Sequence, residues 1–231
     1  MISPNDLQAL LLTLKLATVS TGVLIVLGLP LAWWLAHTRH WSKSIIETTI
    51  ALPLVLPPTV IGFYLLIAFS PEFFFAQSWQ NLFSSRLAFS FEGLVIGSII
   101  YSLPFVVQPL QNCFEKIPAG LMLAAATLGA SPVDRVFSLV IPLSKRALLA
   151  AATLAFAHTV GEFGIVLMIG GNIPGETQVV SIALYDHVES LNYAGAHQLS
   201  LILLGLSFFC LLLLYSGGSR RFFRLMTPDH A

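Results

Sequence analysis

His158 and Glu162 stand four residues apart in the stretch LAFAHTVGEFG, residues 154–164. On a helix that spacing puts both side chains on one face. An imidazole and a carboxylate there can share a proton, hydrogen-bond across a packing seam, or begin a metal site. Two such groups are too few to hold a metal or to form a catalytic dyad, and no second histidine or serine–histidine pair lies in a compact motif with them. Their surroundings are almost wholly apolar, and an ionisable group in such a place is costly enough to suggest a function.

Other residues with possible chemistry are prolines and glycines. Pro53, Pro57 and Pro58 fall in LPLVLPP, residues 52–58, where each removes a backbone donor and interrupts regular helix. Gly161 and Gly164 flank Glu162. They suit the close approach of another helix first, and a hinge second. Asn172, Pro174, Gly175, Glu176 and Thr177 belong to NIPGET, whose Pro-Gly pair signals a type II turn. No G-x-x-x-x-G-K-[ST] phosphate loop is present, and Lys15, Lys43, Lys116 and Lys145 all lie outside such a context. Cys113 and Cys210 stand alone, which fits neither a disulfide framework nor a metal site.

The elements that must position these residues follow from composition. The 231-residue chain is 56% hydrophobic and 10% charged, with a mean hydropathy of +0.85. Soluble domains carry about 25% charged residues, so this chain cannot cover a soluble surface. Its zero formal net charge favours no nucleic acid or other charged partner. A helix needs roughly 20 apolar residues to cross a bilayer. Five stretches qualify, at about 7–36, 45–70, 91–114, 147–171 and 199–215. The expected fold class is therefore all-α: a polytopic membrane protein with about five transmembrane helices in one domain, 7–215, and a tail, 216–231. The prolines of the second span imply broken backbone, tolerated at membrane depth only where protein or a cavity covers it.

Five spans put the termini on opposite sides. One side then holds Arg39, Lys43, Lys116, Arg135, Lys145, Arg146, Arg220, Arg221 and Arg224; the other holds Arg86, with Lys15 just inside the first span. By the positive-inside rule the N-terminus is outside and the C-terminus cytoplasmic. The loops at about 71–90 and 172–198 then face outside. The first stretch lacks the basic opening of a cleavable signal, so it reads as a retained span.

The cytoplasmic loop at about 116–145 is too broken to cross the membrane and too apolar for a plain spacer. Pro118 can open a short helix, and Gly129 is a natural stop for it. Ser131 serves as the next N-cap, Pro132 as first helical residue, and Asp134 completes a capping box. A second short helix then runs to a stop at Pro142. The small residues Ala124, Ala125 and Ala126 permit close approach by another backbone. The alternatives are a helix lying on the lipid surface and a docking element for a cytosolic partner.

The run Ala124 to Ser131, followed by Leu139-Val140-Ile141-Pro142, resembles the EAA signature of ABC importer permeases. That signature reads EAA, three residues, Gly, nine residues, Ile-x-Leu-Pro. Here Leu123 replaces its glutamate, and the ending is Leu-x-Ile-Pro. LPLVLPP, FSFEG (residues 89–93), GEFG and NIPGET are similar to the molybdate ABC transporter permeases, over nearly the whole chain.

The resemblance implies a type I ABC importer permease fold with a cytoplasmic coupling helix. Two copies would enclose a pathway in the bacterial inner membrane. Cytosolic ABC ATPase subunits, which use ATP and Mg, would bind below, and an extracytoplasmic molybdate-binding protein above. This chain would need no cofactor and would not be an enzyme. The implied ATPase-coupling residues are Ala124, Ala125, Thr127, Gly129, Ala130, Ser131, Pro132, Asp134, Phe137 and Pro142. Pro53, Pro57, Pro58, His158, Gly161, Glu162 and Gly164 become candidates for the pathway or gate. For Glu162 a hydrogen-bonded packing role comes first, because a bare carboxylate repels a dianion. Asn172 to Thr177 would lie near the docked binding protein or outer gate. Tungstate, sulfate and thiosulfate remain alternative cargoes. A self-sufficient secondary carrier is the alternative of a different class, though an EAA-like loop would serve no purpose in one.

Overall fold

The structure is a computed structural model. It describes the backbone of residues 2–225 and the side chains of residues 2–215. Eleven α-helices are described, with no strand among the described residues. Four helices are long and apolar enough to cross a membrane, and a bent pair makes a possible fifth crossing.

Helix α1, Pro4–His37, opens on a capping box in which Ser3 and Asp6 satisfy each other's backbone amides. Its Pro30 lies inside the helix. The expected second span is two helices, α2 (Ser42–Ala51) and α3 (Pro58–Ala68), bent by 111°. A short 3₁₀ turn at Leu52–Leu54 begins the corner. Pro57 then holds an extended conformation, φ −54° and ψ 135°, as the residue before a proline prefers. Three prolines in seven residues leave too few amides to carry the helix through.

Helix α4, Phe74–Phe83, lies between α3 and α5 in sequence. Helix α5, Phe91–Phe114, is capped by Ser90. Two short helices follow, α6 (Ala119–Thr127) and α7 (Pro132–Arg135), and then the long α8, Ile141–Val160. Helices α9 (Gly164–Gly170), α10 (Val180–Glu189) and α11 (Tyr193–Leu225) complete the chain. The tail expected at 216–231 is still helical as far as Leu225. Arg220, Arg221 and Arg224 lie outside the residues whose side chains are described, and 226–231 lie outside the described residues altogether.

Two expectations change here. Helix α7 does not stop at Pro142. A π-turn over Val136–Val140 joins it to α8, with the Ile141 amide bonding to the Val136 carbonyl. Pro142 has no amide, and in a regular helix its ring would clash with the carbonyl four residues back. The wider π-turn gives it room. The fourth span is likewise not one helix over 147–171. It ends at Val160, breaks across Gly161–Phe163, and resumes as α9.

Helices α1 and α5 run side by side in the same direction, and α8 runs against them. One apolar core joins Leu24, Leu35, Val106, Leu110, Phe114 and Val140. A second joins Leu16, Leu94, Ile165, Ile169 and Ile182. At one end, His187 of α10 bonds to Asp6 of α1, 2.9 Å. At the other end, Lys43 of α2 bonds to Glu115, just past α5, at 3.3 Å.

Candidate functional site

Between the two cores α5 changes character. Leu94, Ser98, Ser102, Val106 and Leu110 follow one another at one-turn spacing, all fully buried. The two serines are a polar layer in an otherwise apolar seam, and buried hydroxyls require partners. They find them at the helix break. Ser98 Oγ donates to Glu162 Oε2 at 2.6 Å, and Ser102 Oγ donates to Glu162 Oε1 at 2.9 Å. Glu162 is itself 4% exposed. Ser102 Oγ also lies 2.8 Å from His158 Nδ1 and 3.2 Å from Thr159 Oγ1. The Glu162 carbonyl, freed where α8 stops, accepts from the Ser181 hydroxyl on α10.

The break has a local cause. Gly161 caps α8 with φ −88°, and Phe163 takes an irregular conformation before α9 restarts. That turns Glu162 inward onto the α5 serines. A cavity of about 530 Å³ lies beside it, lined by Pro58, Thr59, Tyr101, His158, Gly161 and Glu162, among others. Helix α3 begins at this cavity with no side-chain cap. His158 packs against two rings of α5, Tyr101 at 4.8 Å and Phe105 at 4.2 Å between ring centroids. Among the described residues no three His, Cys, Asp or Glu side chains converge on a point that could hold a metal.

Five of the seven pathway candidates therefore line one cavity: Pro58, His158, Gly161, Glu162 and Gly164. Pro53 is buried in the 3₁₀ turn, and Pro57 is exposed just before α3; neither reaches it. Gly164 sits where a Cβ would come within 3.1 Å of Pro58 Cβ. It lets the two broken helices touch. Gly161 meets no such neighbour. The serines, Thr159, Thr59 and Tyr101 went unnoticed in the sequence.

The loop residues form a separate constellation at the other end. Helix α6 closes on Gly129, φ +87°, with Gly129 and Ala130 amides bonding to the Ala126 and Ala125 carbonyls, both 3.0 Å. This is a Schellman ending. The Ser131–Asp134 capping box forms, with the Asp134 amide 3.1 Å from Ser131 Oγ. No α6 residue is buried; Leu123 is 68% and Leu128 88% exposed. Phe137 lies apart from α6, in the π-turn, against an apolar groove with Pro30, Trp33 and Phe114.

At the α10 end, Asn172 donates to both Asp186 oxygens, at 3.2 and 3.0 Å. Gln178 donates to the same carboxylate, 2.8 Å. Thr177 Oγ1 donates to the Gly170 carbonyl, 2.6 Å. Gly175 has φ +79°, the value a type II turn requires at its third residue. Pro174, Gly175 and Glu176 are exposed on this turn.

Long apolar helices, with one broken pair meeting another at a cavity, define a polytopic membrane protein. The chain matches the family described as binding-protein-dependent transport system inner membrane component over residues 25–226, and it belongs to that family. It is 52% identical to the molybdenum transport system permease protein ModB of Azotobacter vinelandii, over 96% of this chain and 97% of the relative. It is 37% identical to the ModB of Haemophilus influenzae, over 80% and 81%. The sulfate transport system permease protein CysT of Escherichia coli is 31% identical, over 93% and 76%. A solved bacterial ABC transporter for import of the acidic polysaccharide alginate shares the fold, with a TM-score of 0.75 at 16% identity over 94% and 80% of the chains.

Proposed function

We propose that this chain is the permease subunit of an ATP-driven molybdate importer. The observation that carries the substrate is the 52% identity to a molybdenum permease along nearly the whole chain. Two copies enclose the pathway, and each contributes its cavity at the helix break. That cavity offers hydroxyls and an imidazole, with no Lys or Arg among its lining residues. A weak lining suits a pathway, because an ion held tightly is released slowly.

Helix α6 docks on a cytosolic ATPase subunit, which binds ATP and Mg; this chain carries out no hydrolysis and needs no cofactor. Its exposure and its rigid ending at Gly129 support that role. Leu123 makes the contact apolar where the signature has a glutamate. The end bearing Lys43, Lys116 and Lys145 is cytoplasmic, and the N-terminus is outside. The turn Pro174–Glu176 then faces an extracytoplasmic molybdate-binding protein.

The test of this assembly is ATP hydrolysis by the ATPase of the genomic neighbourhood when it is reconstituted with this chain and the neighbouring binding protein. Molybdate-loaded binding protein should stimulate hydrolysis. A rate indifferent to the loaded binding protein would contradict the assembly.

A further inference from the structure

We propose that His158 contacts the transported oxyanion only when its ring carries two protons, so that a donor on the pathway appears and disappears with protonation. The inference rests on the oxyanion reading above. It begins with hydrogen counting. A serine hydroxyl has one hydrogen. Ser98 donates its own to Glu162 Oε2 and Ser102 donates its own to Glu162 Oε1. We take Glu162 as an ionised carboxylate, which only accepts. Ser102 has then no hydrogen left for His158, whose Nδ1 lies 2.8 Å from the same oxygen. Nδ1 must carry the hydrogen and donate to Ser102.

The other nitrogen follows. With the hydrogen on Nδ1, a neutral ring leaves Nε2 as a bare acceptor. Nε2 has no protein partner among the described residues, and His158 lines the cavity. A lone pair there repels an oxyanion. One proton taken from water turns the same nitrogen into a charged donor, and charge-assisted hydrogen bonds are the strong ones. The hydroxyls of Thr59 and Tyr101 line the same cavity. Loss of that proton returns Nε2 to an acceptor and lets the anion go.

The neighbours of His158 allow the charge. Glu162 Oε1 lies 3.6 Å from Nδ1, and no Lys or Arg pairs with this carboxylate among the described residues. From α5 the only titratable side chain against the ring is Tyr101, with Phe105 beside it. From α3 the cavity receives Pro58 and Thr59.

Two measurements test this. The protein labelled with ¹⁵N-histidine, with His158→Gln to assign the signal, should show the Nδ1–H form at alkaline pH and both nitrogens protonated at acid pH. A neutral ring protonated on Nε2 would overturn the inference. In proteoliposomes with ATPase and binding protein, molybdate uptake by the natural chain is compared with that by His158→Gln. The glutamine amide is a donor at every pH, and effects on the partner subunits cancel in the ratio. The ratio should rise severalfold as the pH falls across the range in which the histidine signal gains its second proton. Uptake with a flat ratio defeats the inference alone; no ATP-driven oxyanion uptake by the natural chain defeats the function on which it rests.

Discussion

At the residue scale, Glu162 shows how a carboxylate lives inside an apolar seam. Burial of an unpaired charge is prohibitive, and here two serine hydroxyls take up both oxygens. Hydrogen bonds to charged groups contribute about 1.5–3 kcal/mol each. Ser98→Ala should therefore lower the thermal stability of the purified protein by an amount in that range. Ser102→Ala should cost at least as much, because its oxygen also serves His158 and Thr159. An unchanged melting temperature for both variants would contradict the assigned network. His158 and Glu162 were legible as a pair because their spacing is local. Their serine partners lie 64 and 60 residues away from Glu162, and in the sequence they look like small packing residues. One signal was available: Ser98 and Ser102 share a helix face, and a buried acid needs donors.

At the element scale, local chemistry predicted local structure well. The caps at Ser131 and Gly129, the α5 boundaries and the corner after Ala51 all follow from side chains within a few residues. The joints between elements did not follow so readily. Pro142 reads as a stop, yet a π-turn carries the helix past it. The GEFG stretch reads as continuous span, yet α8 ends at Val160 and the chain restarts as α9 after the irregular Phe163. Helix α10 lay hidden in what reads as an external loop. Gly129 supplies the test at this scale. Its φ of +87° disfavours any side chain, although a Cβ would meet nothing within 4 Å. A left-handed conformation costs an ordinary residue about 1–2 kcal/mol, so Gly129→Leu should shift the end of α6 without unfolding the spans. Membrane insertion should be normal and ATP-driven uptake should fall severalfold. Normal uptake by an inserted Gly129→Leu protein would contradict the coupling role of α6.

At the scale of the whole molecule, broken helices meet between the two apolar cores while polar and charged clusters tie the ends. At the α6 end, the Gln111 amide, and after it Lys43, hold the Glu115 carboxyl below the usual glutamate range. Gln111 also bonds to Glu47 at 2.6 Å, so this cluster links α2 to α5. A depressed carboxylate contributes stability above its ordinary pKa and loses it as pH falls through the lowered value. The pair is solvent-exposed, which limits the gain to about 0.2–1 kcal/mol. The melting temperature of the natural chain should exceed that of Glu115→Gln by a degree or two at neutral pH. The difference should vanish in acid below the carboxylate range. A difference that persists there would assign the effect to packing.

The central claim is that this chain carries molybdate under ATP drive. The direct measurement is uptake of labelled molybdate into proteoliposomes holding the chain, its ATPase and its binding protein, with tungstate or sulfate as competitor. The account predicts ATP-dependent uptake that tungstate, of nearly the same size and charge, suppresses and excess sulfate leaves intact. Uptake suppressed by sulfate would move the protein to the sulfate permeases, and absence of ATP-dependent uptake would contradict the account.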